Sequence, residues 1–319
     1  MLHPKRDIRG YFQGKRALEI AACGGHNLLM IGPPGTGKTM LATRLPGLLP
    51  PLEENEAFES AAVLSISERG FDVARWRERP FRSPHHTSSA VALIGGGSIP
   101  RPGEVSLAHR GILFLDELPQ FDRRVLEVLR EPLETGRISI SRAARNADFP
   151  ALFQLVAAMN PCPCGYHGDP SKRCNCSREK IERYRGRISG PLLDRIDLHI
   201  EIARPRNWLD PNEEAANESS AMVRLRVEQA RTIQMRRQDK LNQFLSVNEI
   251  RQQIPLDLES QRFTRQAFDR FLLSARAYHR IVKVARTIAD LEDNTNVELP
   301  HLREALNLHC LDRAAVADT

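Results

Sequence analysis

The sequence predicts an α/β domain built on a parallel, three-layer sheet over residues 1–205, followed by an all-helical second domain over 206–319. Three observations predict it. The short apolar runs "NLLMI" (27–31), "GILFLDEL" (111–118) and "LFQLVAAMN" (152–160) have the pattern of fully buried parallel strands. Segments of helical periodicity alternate with these runs. Beyond Pro205 the composition changes: "NWLDPNEEAANESS" is polar and linker-like, and the residues after it carry helical spacing.

In chain order, "GKRALEIAAC" (14–23) places Ala17, Leu18, Ala21 and Ala22 on one helical face, and Gly24-Gly25 stops it. After "NLLMI" comes a glycine-rich turn and a helix from Lys38 to about Leu45. "RRVLEVLREPLE" (123–134) reads as a helix that buries Val125, Leu126, Val128, Leu129 and Leu133. "GRISISRAAR" (136–145) alternates like a hairpin arm, and "LDRIDLHIEI" (193–202) closes the α/β part. In the second domain Ser219 or Ser220 can cap a helix through about Arg237, with Val223, Val227 and Ala230 on one face. Two more helices fit 263–275 and 276–290, and a last one fits 299–310.

The 319 residues suffice for two cored domains, and 41% hydrophobic with 27% charged residues is an ordinary globular balance. No apolar run approaches the roughly 18–20 residues that span a bilayer. The N-terminus lacks an apolar signal region, so no membrane or secretory role is expected. Four of the six cysteines cluster, and Cys23 and Cys310 stand apart from them. That distribution argues against a disulfide framework and for a reducing cytoplasm. The net charge of +6 leans weakly toward polyanionic partners.

"GPPGTGKT" matches G-x-x-x-x-G-K-[ST] and sits between a strand and a helix. Backbone N–H groups of Gly32, Pro33, Pro34, Gly35, Thr36 and Gly37, proline nitrogens excepted, can curl around phosphates. Lys38 reaches the β- and γ-phosphates of ATP, and the Thr39 hydroxyl binds Mg²⁺. The helix that opens here adds the positive end of its dipole. "ILFLDE" (112–117) supplies Asp116 for Mg²⁺, directly or through water, and Glu117 as general base for an attacking water. Asn160, at the end of a further apolar strand, can orient that water beside the γ-phosphate. Otherwise it is simply a turn former before Pro161.

These features together resemble an AAA+ ATPase. "KRALEIAACGGHNLLMIGPPGTGKTMLA", "FRSPHHTSSAVALIGGG", "PGEVSLAHRGILFLDELPQFD", "LREPLETGRISISRA" and "RISGPLLDRIDLHIE" further resemble the ComM family of magnesium-chelatase-like AAA+ proteins, over nearly the whole chain. The resemblance implies a P-loop AAA+ domain with a helical lid. It also implies a homo-oligomeric, hexameric ring ATPase that binds single-stranded or branched DNA and drives branch migration in natural transformation and homologous recombination. Arg195 in "LLDRID" matches the arginine finger that reaches a neighbouring subunit's γ-phosphate, with pairing to Asp194 or Asp197 as the alternative. Arg276 in "LSARAYHRIVKVAR" matches the sensor-2 arginine, against a merely solvated basic face shared with Arg280, Lys283 and Arg286.

The segment 81–106 matches the helix-2 insertion of this clade, and 136–145 the hairpin before sensor 1. Both would face a ring channel, which makes Arg137, Arg142 and Arg145 candidates to track a phosphate backbone. His85 and His86 fall in the insertion without a derivable role. The resemblance also leads us to expect that the family's N-terminal domain, similar to the fold of Lon-type proteases, is missing. The rival reading is a chelatase-like ATPase that remodels a protein partner.

Cys162, Cys164, Cys174 and Cys176 form C-x-C-x₉-C-x-C in an insert over 162–176. Four thiolates in one short Gly- and Pro-rich loop suit tetrahedral Zn²⁺, whose binding folds an insert too small for a core. His167 can replace one thiolate. A redox pair or no ligand are the alternatives.

Overall fold

The computed structural model describes residues 11–68, 70–97, 99–142, 145–170, 173–203 and 218–311. The chain opens with α1 (Phe12–Gly24), β1 (Leu28–Ile31), α2 (Lys38–Arg44) and α3 (Glu54–Ser65). Then come β2 (Phe81–Arg82), α4 (Ala90–Ile94), β3 (Gly95–Gly96), β4 (Arg101–Pro102), α5 (Glu104–Leu107) and β5 (Ile112–Leu115). The middle holds α6 (Arg123–Glu127), α7 (Arg130–Thr135), the strands β6 (Arg137–Arg142) and β7 (Arg145–Pro150), and β8 (Gln154–Met159). After α8 (Arg178–Arg185), α9 (Gly190–Leu193) and β9 (Leu198–Glu201), the described chain is helical. These last helices are α10 (Ser220–Gln238), α11 (Val247–Gln253), α12 (Leu258–Phe271), α13 (Ala275–Leu291) and α14 (Leu299–Asn307).

The expected α/β fold is present, as a five-stranded parallel sheet in the order β2-β5-β8-β1-β9. β5 pairs in parallel with both neighbours: Ile112 lies opposite Phe81 on one side and Gln154 on the other. Every residue of β1, β5 and β8 is buried, which explains why these strands read as unbroken apolar runs rather than alternating ones. The hairpin over 136–145 extends to Pro150: β6 and β7 pair antiparallel from Arg137↔Pro150 to Arg142↔Arg145. It buries Ile138 and Ile140 and exposes Arg137 and Ser139, the period-2 signature of a one-sided ribbon.

The helix expected over 123–134 is broken into α6 and α7. Pro132 cannot donate to the carbonyl of Val128, and its ring crowds that group, so the first helix ends there. The helices expected over 263–275 and 276–290 begin earlier, at Leu258 and Ala275. Asp257 and Ser274 accept from Ser260 N and Ala277 N, at 2.7 and 3.1 Å, and so fix the starts. Leu272, in the left-handed region at φ 48°, separates the two helices. Among the described residues no helix is long and apolar enough to cross a membrane.

The chain divides into two compact units, one of Met1–Leu29, Gly47–Pro50 and Ile196–Thr319, the other of Met30–Pro46 and Pro51–Arg195. The expected boundary at 205 lies outside the described residues. Helix α1 groups with the C-terminal helices, and α10 supplies cations to it. Arg226 Nε donates to Glu19 Oε1 at 2.8 Å and Arg231 Nε to the Ala22 carbonyl at 2.8 Å. Deeper in this unit Asp290 is 2% exposed and accepts from Arg237 at 2.6 and 2.9 Å, Arg286 Nε at 3.1 Å and Asn242 Nδ2 at 2.8 Å. Removing the carboxylate strands two guanidinium groups in a poorly solvated site. Asp290→Ala is therefore expected to lose about 3–5 kcal/mol of stability in urea denaturation. A loss under ~1 kcal/mol would show that the cluster contributes little beyond surface pairing.

Candidate nucleotide site

The site is built at the carboxyl ends of three adjacent strands, where open α/β sheets present their ligand crevice. β8 lies between β1 and β5, so the segments leaving all three strands emerge side by side. The Gly32 amide, just past β1, donates to the Met159 carbonyl at the end of β8, at 3.2 Å.

The phosphate loop is folded as its glycines require. Gly35 and Gly37 have φ of 75° and 73°, in the region that side chains disfavour, and a Cβ on Gly35 would meet nothing within 4 Å. The constraint at Gly35 is therefore backbone conformation and not space. Thr36 Oγ1 donates to the Pro33 carbonyl at 2.8 Å and holds the loop closed. Lys38, 8% exposed, donates from Nζ to the Gly32 carbonyl at 2.6 Å, to the Pro33 carbonyl at 2.9 Å and to Asn160 Oδ1 at 3.2 Å. Burial lowers its pKa from the usual lysine value, while the charges of Asp116 and Glu117 work the other way.

Thr39 Oγ1 donates to Asp116 Oδ2 at 2.6 Å. A hydroxyl and a carboxylate, both hard oxygen donors, meeting beside the loop fit Mg²⁺, which prefers one or two protein oxygens and keeps its other positions for water and phosphate. Asp116 Oδ1 also accepts from the Glu117 amide at 2.9 Å. Glu117 itself sits in the left-handed region (φ 53°, ψ 44°), a conformation that costs a non-glycine residue about 1–3 kcal/mol. This twist turns its half-exposed side chain toward His86, whose Nδ1 is 3.3 Å from Glu117 Oε2. The His86 ring also lies against that of His85, at 4.1 Å between centroids and tilted by 32°. No spacing in the sequence links residues 86 and 117. Only the alignment of β2 with β5 brings them together.

The fold thus gathers Lys38, Thr39, Asp116, Glu117 and Asn160. The Arg195 guanidinium bonds the Glu134 carboxylate and the Pro191 carbonyl. Asp197 accepts from the Asn27 amide at 2.9 Å and faces His26. Glu134 was not legible as a partner, because nothing in the pattern relates α7 to the turn after α9.

Arg276 is the second residue of α13 and is exposed. The other cations of that helix are structural: Arg280 donates to the Ile196 carbonyl at 2.6 Å, Lys283 to the Gln243 carbonyl at 2.8 Å, and Arg286 to the Thr295 carbonyl at 2.6 Å. The helix therefore does not present a uniformly solvated basic face. Arg137 is exposed at the base of the hairpin. Arg142 and Arg145 pair through their backbones at its tip, and their side chains lie outside the described structure.

The cysteine insert converges as its spacing required. The sulfurs of Cys162, Cys164, Cys174 and Cys176 all lie within 4.8 Å of one another, an arrangement able to hold a metal ion. Three separations are 3.3, 3.7 and 3.6 Å. A tetrahedron with metal–sulfur bonds of about 2.3 Å has edges of about 3.8 Å. Burial pushes the Cys164 thiol up, but hydrogen bonds from the Tyr166 backbone and the neighbouring thiols bring its pKa down to about 6. His167 contributes its backbone amide, which donates to Cys162 Sγ at 3.3 Å.

Residues 5–208 match the family described as magnesium chelatase, subunit ChlI, and residues 217–309 its C-terminal region. The chain is 51% identical to YifB of Escherichia coli over 314 residues, 98% of this chain and 62% of that protein. It is likewise 51% identical to the competence protein ComM of Haemophilus influenzae over 307 residues, 96% of this chain and 60% of that one. The magnesium-chelatase 38 kDa subunit of Cereibacter sphaeroides is 26% identical over 226 residues, 64% of this chain and 60% of the subunit. The chain thus spans about three fifths of the length of these relatives. With the phosphate loop, the paired acids and Asn160 assembled at the carboxyl ends of three adjacent strands, and both family regions matched in order, the chain belongs to the ComM family of magnesium-chelatase-like AAA+ proteins.

Proposed function

We propose that this protein is an ATP-hydrolysing ring motor that acts on single-stranded or branched DNA, as a branch-migration helicase in homologous recombination and natural transformation. The observation that carries the ATPase part is the meeting of Lys38 with Asn160 and of Thr39 with Asp116. Lys38 is assigned to the β- and γ-phosphates, where it would exchange two neutral carbonyl acceptors for charged oxygens. Thr39 and Asp116 would hold Mg²⁺, which supplies charge neutralisation at the phosphates. Glu117 takes the proton of the attacking water, and Asn160 orients that water. Arg195 serves the neighbouring subunit of a homo-oligomeric, six-membered ring, with Glu134 setting the guanidinium's direction. Arg276 is assigned the part of the second sensor.

The DNA part rests on the β6–β7 hairpin, which carries Arg137 exposed at its base and Arg142 and Arg145 at its tip, and on the 51% identity to a competence protein. The similarity to a magnesium-chelatase subunit supports the rival reading, a remodeller of a protein partner. The arginine-bearing hairpin has no evident use in that reading. The cysteine cluster is assigned to structural Zn²⁺.

ATP hydrolysis by the purified chain is expected to rise with single-stranded and four-way-junction DNA, and the stimulation is expected to fade between low and moderate salt as phosphate contacts are screened. Glu117→Gln is expected to abolish turnover. Hydrolysis indifferent to every DNA but lost in Glu117→Gln would leave the remodeller as the better account. Arg195→Ala is expected to lower turnover by about 10³-fold or more. Mixing it with Glu117→Gln should restore part of the activity, since one variant keeps the site and the other the finger. No rescue at any mixing ratio of co-assembled subunits would argue against a finger acting between subunits.

A further inference from the structure

The turn of the cysteine insert at Gly165 lies against the phosphate loop. Gly165, in the turn that joins the first cysteine pair to the rest of the insert, packs directly against Pro34. A Cβ built on Gly165 would lie 2.6 Å from Pro34 Cδ, 3.0 Å from Pro34 Cγ and 3.8 Å from Asn160 Cγ. Gly165 also has φ 85°, and its amide closes the turn on the Cys162 carbonyl at 2.9 Å. Glycine is thus required twice, by conformation and by the approach of the loop.

The insert is tied to the site along the chain as well. Asn160, which accepts from Lys38, is followed by Pro161 and then by Cys162, whose sulfur is fully buried and accepts from the His167 amide. Arg185 of α8, beyond the last cysteine, donates from Nε to the Pro161 carbonyl at 3.2 Å. Entry and exit of the insert are therefore anchored on the short segment that carries Asn160. A four-sulfur loop of this length has too few apolar residues to hold one conformation on its own, and an ion joining the sulfurs would fix the turn that bears Gly165.

We propose that metal binding by Cys162, Cys164, Cys174 and Cys176 is thermodynamically coupled to nucleotide binding, because the metal-organised turn at Gly165 buttresses Pro34 of the phosphate loop and the segment carrying Asn160. The inference rests on the nucleotide and zinc assignments given above, and it adds to them a second role for the insert: the metal, which takes no part in the chemistry, sets the affinity of the ATP site. Coupling between two ligands is reciprocal, so nucleotide must strengthen metal binding by the same factor.

The test uses the full chain, its zinc content measured by elemental analysis and nucleotide affinity by titration with mant-ATP. Protein stripped of zinc by a chelator is expected to bind mant-ATP at least about fivefold more weakly, the lower end of ordinary coupling, and added Zn²⁺ should restore the affinity. In chelator competition, saturating ATP is expected to raise zinc affinity by the same factor. This measurement starts from the intact holoprotein, so it is not confounded if the stripped protein loses structure. Gly165→Ala is expected to retain one zinc per chain and still bind mant-ATP more weakly, since the added methyl displaces Pro34. Equal mant-ATP affinity with and without zinc, or zinc affinity indifferent to ATP, would overturn the coupling while leaving both sites in place. A chain that takes up no zinc, or no mant-ATP in any state, would overturn the underlying assignment and the coupling together.

Discussion

The hydrogen bond from the Gly32 amide to the Met159 carbonyl joins the ends of two parallel strands, and the nucleotide site is organised around that junction. With β8 held between β1 and β5, the phosphate loop, Asn160 and the Asp116-Glu117 pair leave the sheet as neighbours, although 120 residues lie between Thr39 and Asn160. Register matters as much as order. Leu115 pairs with Ala157, and a slip of one residue would turn the side chains of a whole strand to the opposite face, Asn160 with them. Because every residue of β5 and β8 is buried, no polar face marks the register, and close packing of the side chains on both faces has to hold it.

The electrostatics follow from the same packing. Lys38 donates to two carbonyl oxygens and an amide oxygen, and burial by the loop it closes holds its pKa below that of a free lysine even with two carboxylates nearby. Phosphate oxygens are stronger acceptors than any of these, and the positive charge is already confined where they would arrive. The acids are divided by geometry. Asp116 is bonded to Thr39 and to the next amide, whereas Glu117 turns aside to meet His86.

The strands and the phosphate loop were legible because their physics is local: buried parallel strands must be apolar, and a loop around phosphates must contain glycine. The cysteine cluster was legible for a similar reason, since four thiols in fifteen positions leave few alternatives. What the pattern did not disclose was contact across distance. Glu134 beside Arg195, His86 beside Glu117 and Gly165 against Pro34 all depend on loops whose path no periodicity records. The break at Val128 was in principle readable from Pro132. The apolar spacing of Val125, Leu126, Val128 and Leu129 ran through it and masked the missing donor. The sorting of the basic residues on α13 likewise required tertiary structure, because Arg280 and Arg286 have the same local sequence character as Arg276.

The left-handed backbone at Glu117 carries one more implication. A carboxylate held at φ 53° is an unfavourable guest that the surrounding sheet retains. A glycine in its place would relax the turn and remove the steric cost of about 1–2 kcal/mol that an L side chain incurs there. In the mechanism proposed above, selection for thermal robustness alone would favour that glycine and yield a silent protein that melts later than the active one. On that proposal, the strained acid at the end of β5 is a place where this molecule gives up stability to keep a reactive group aimed.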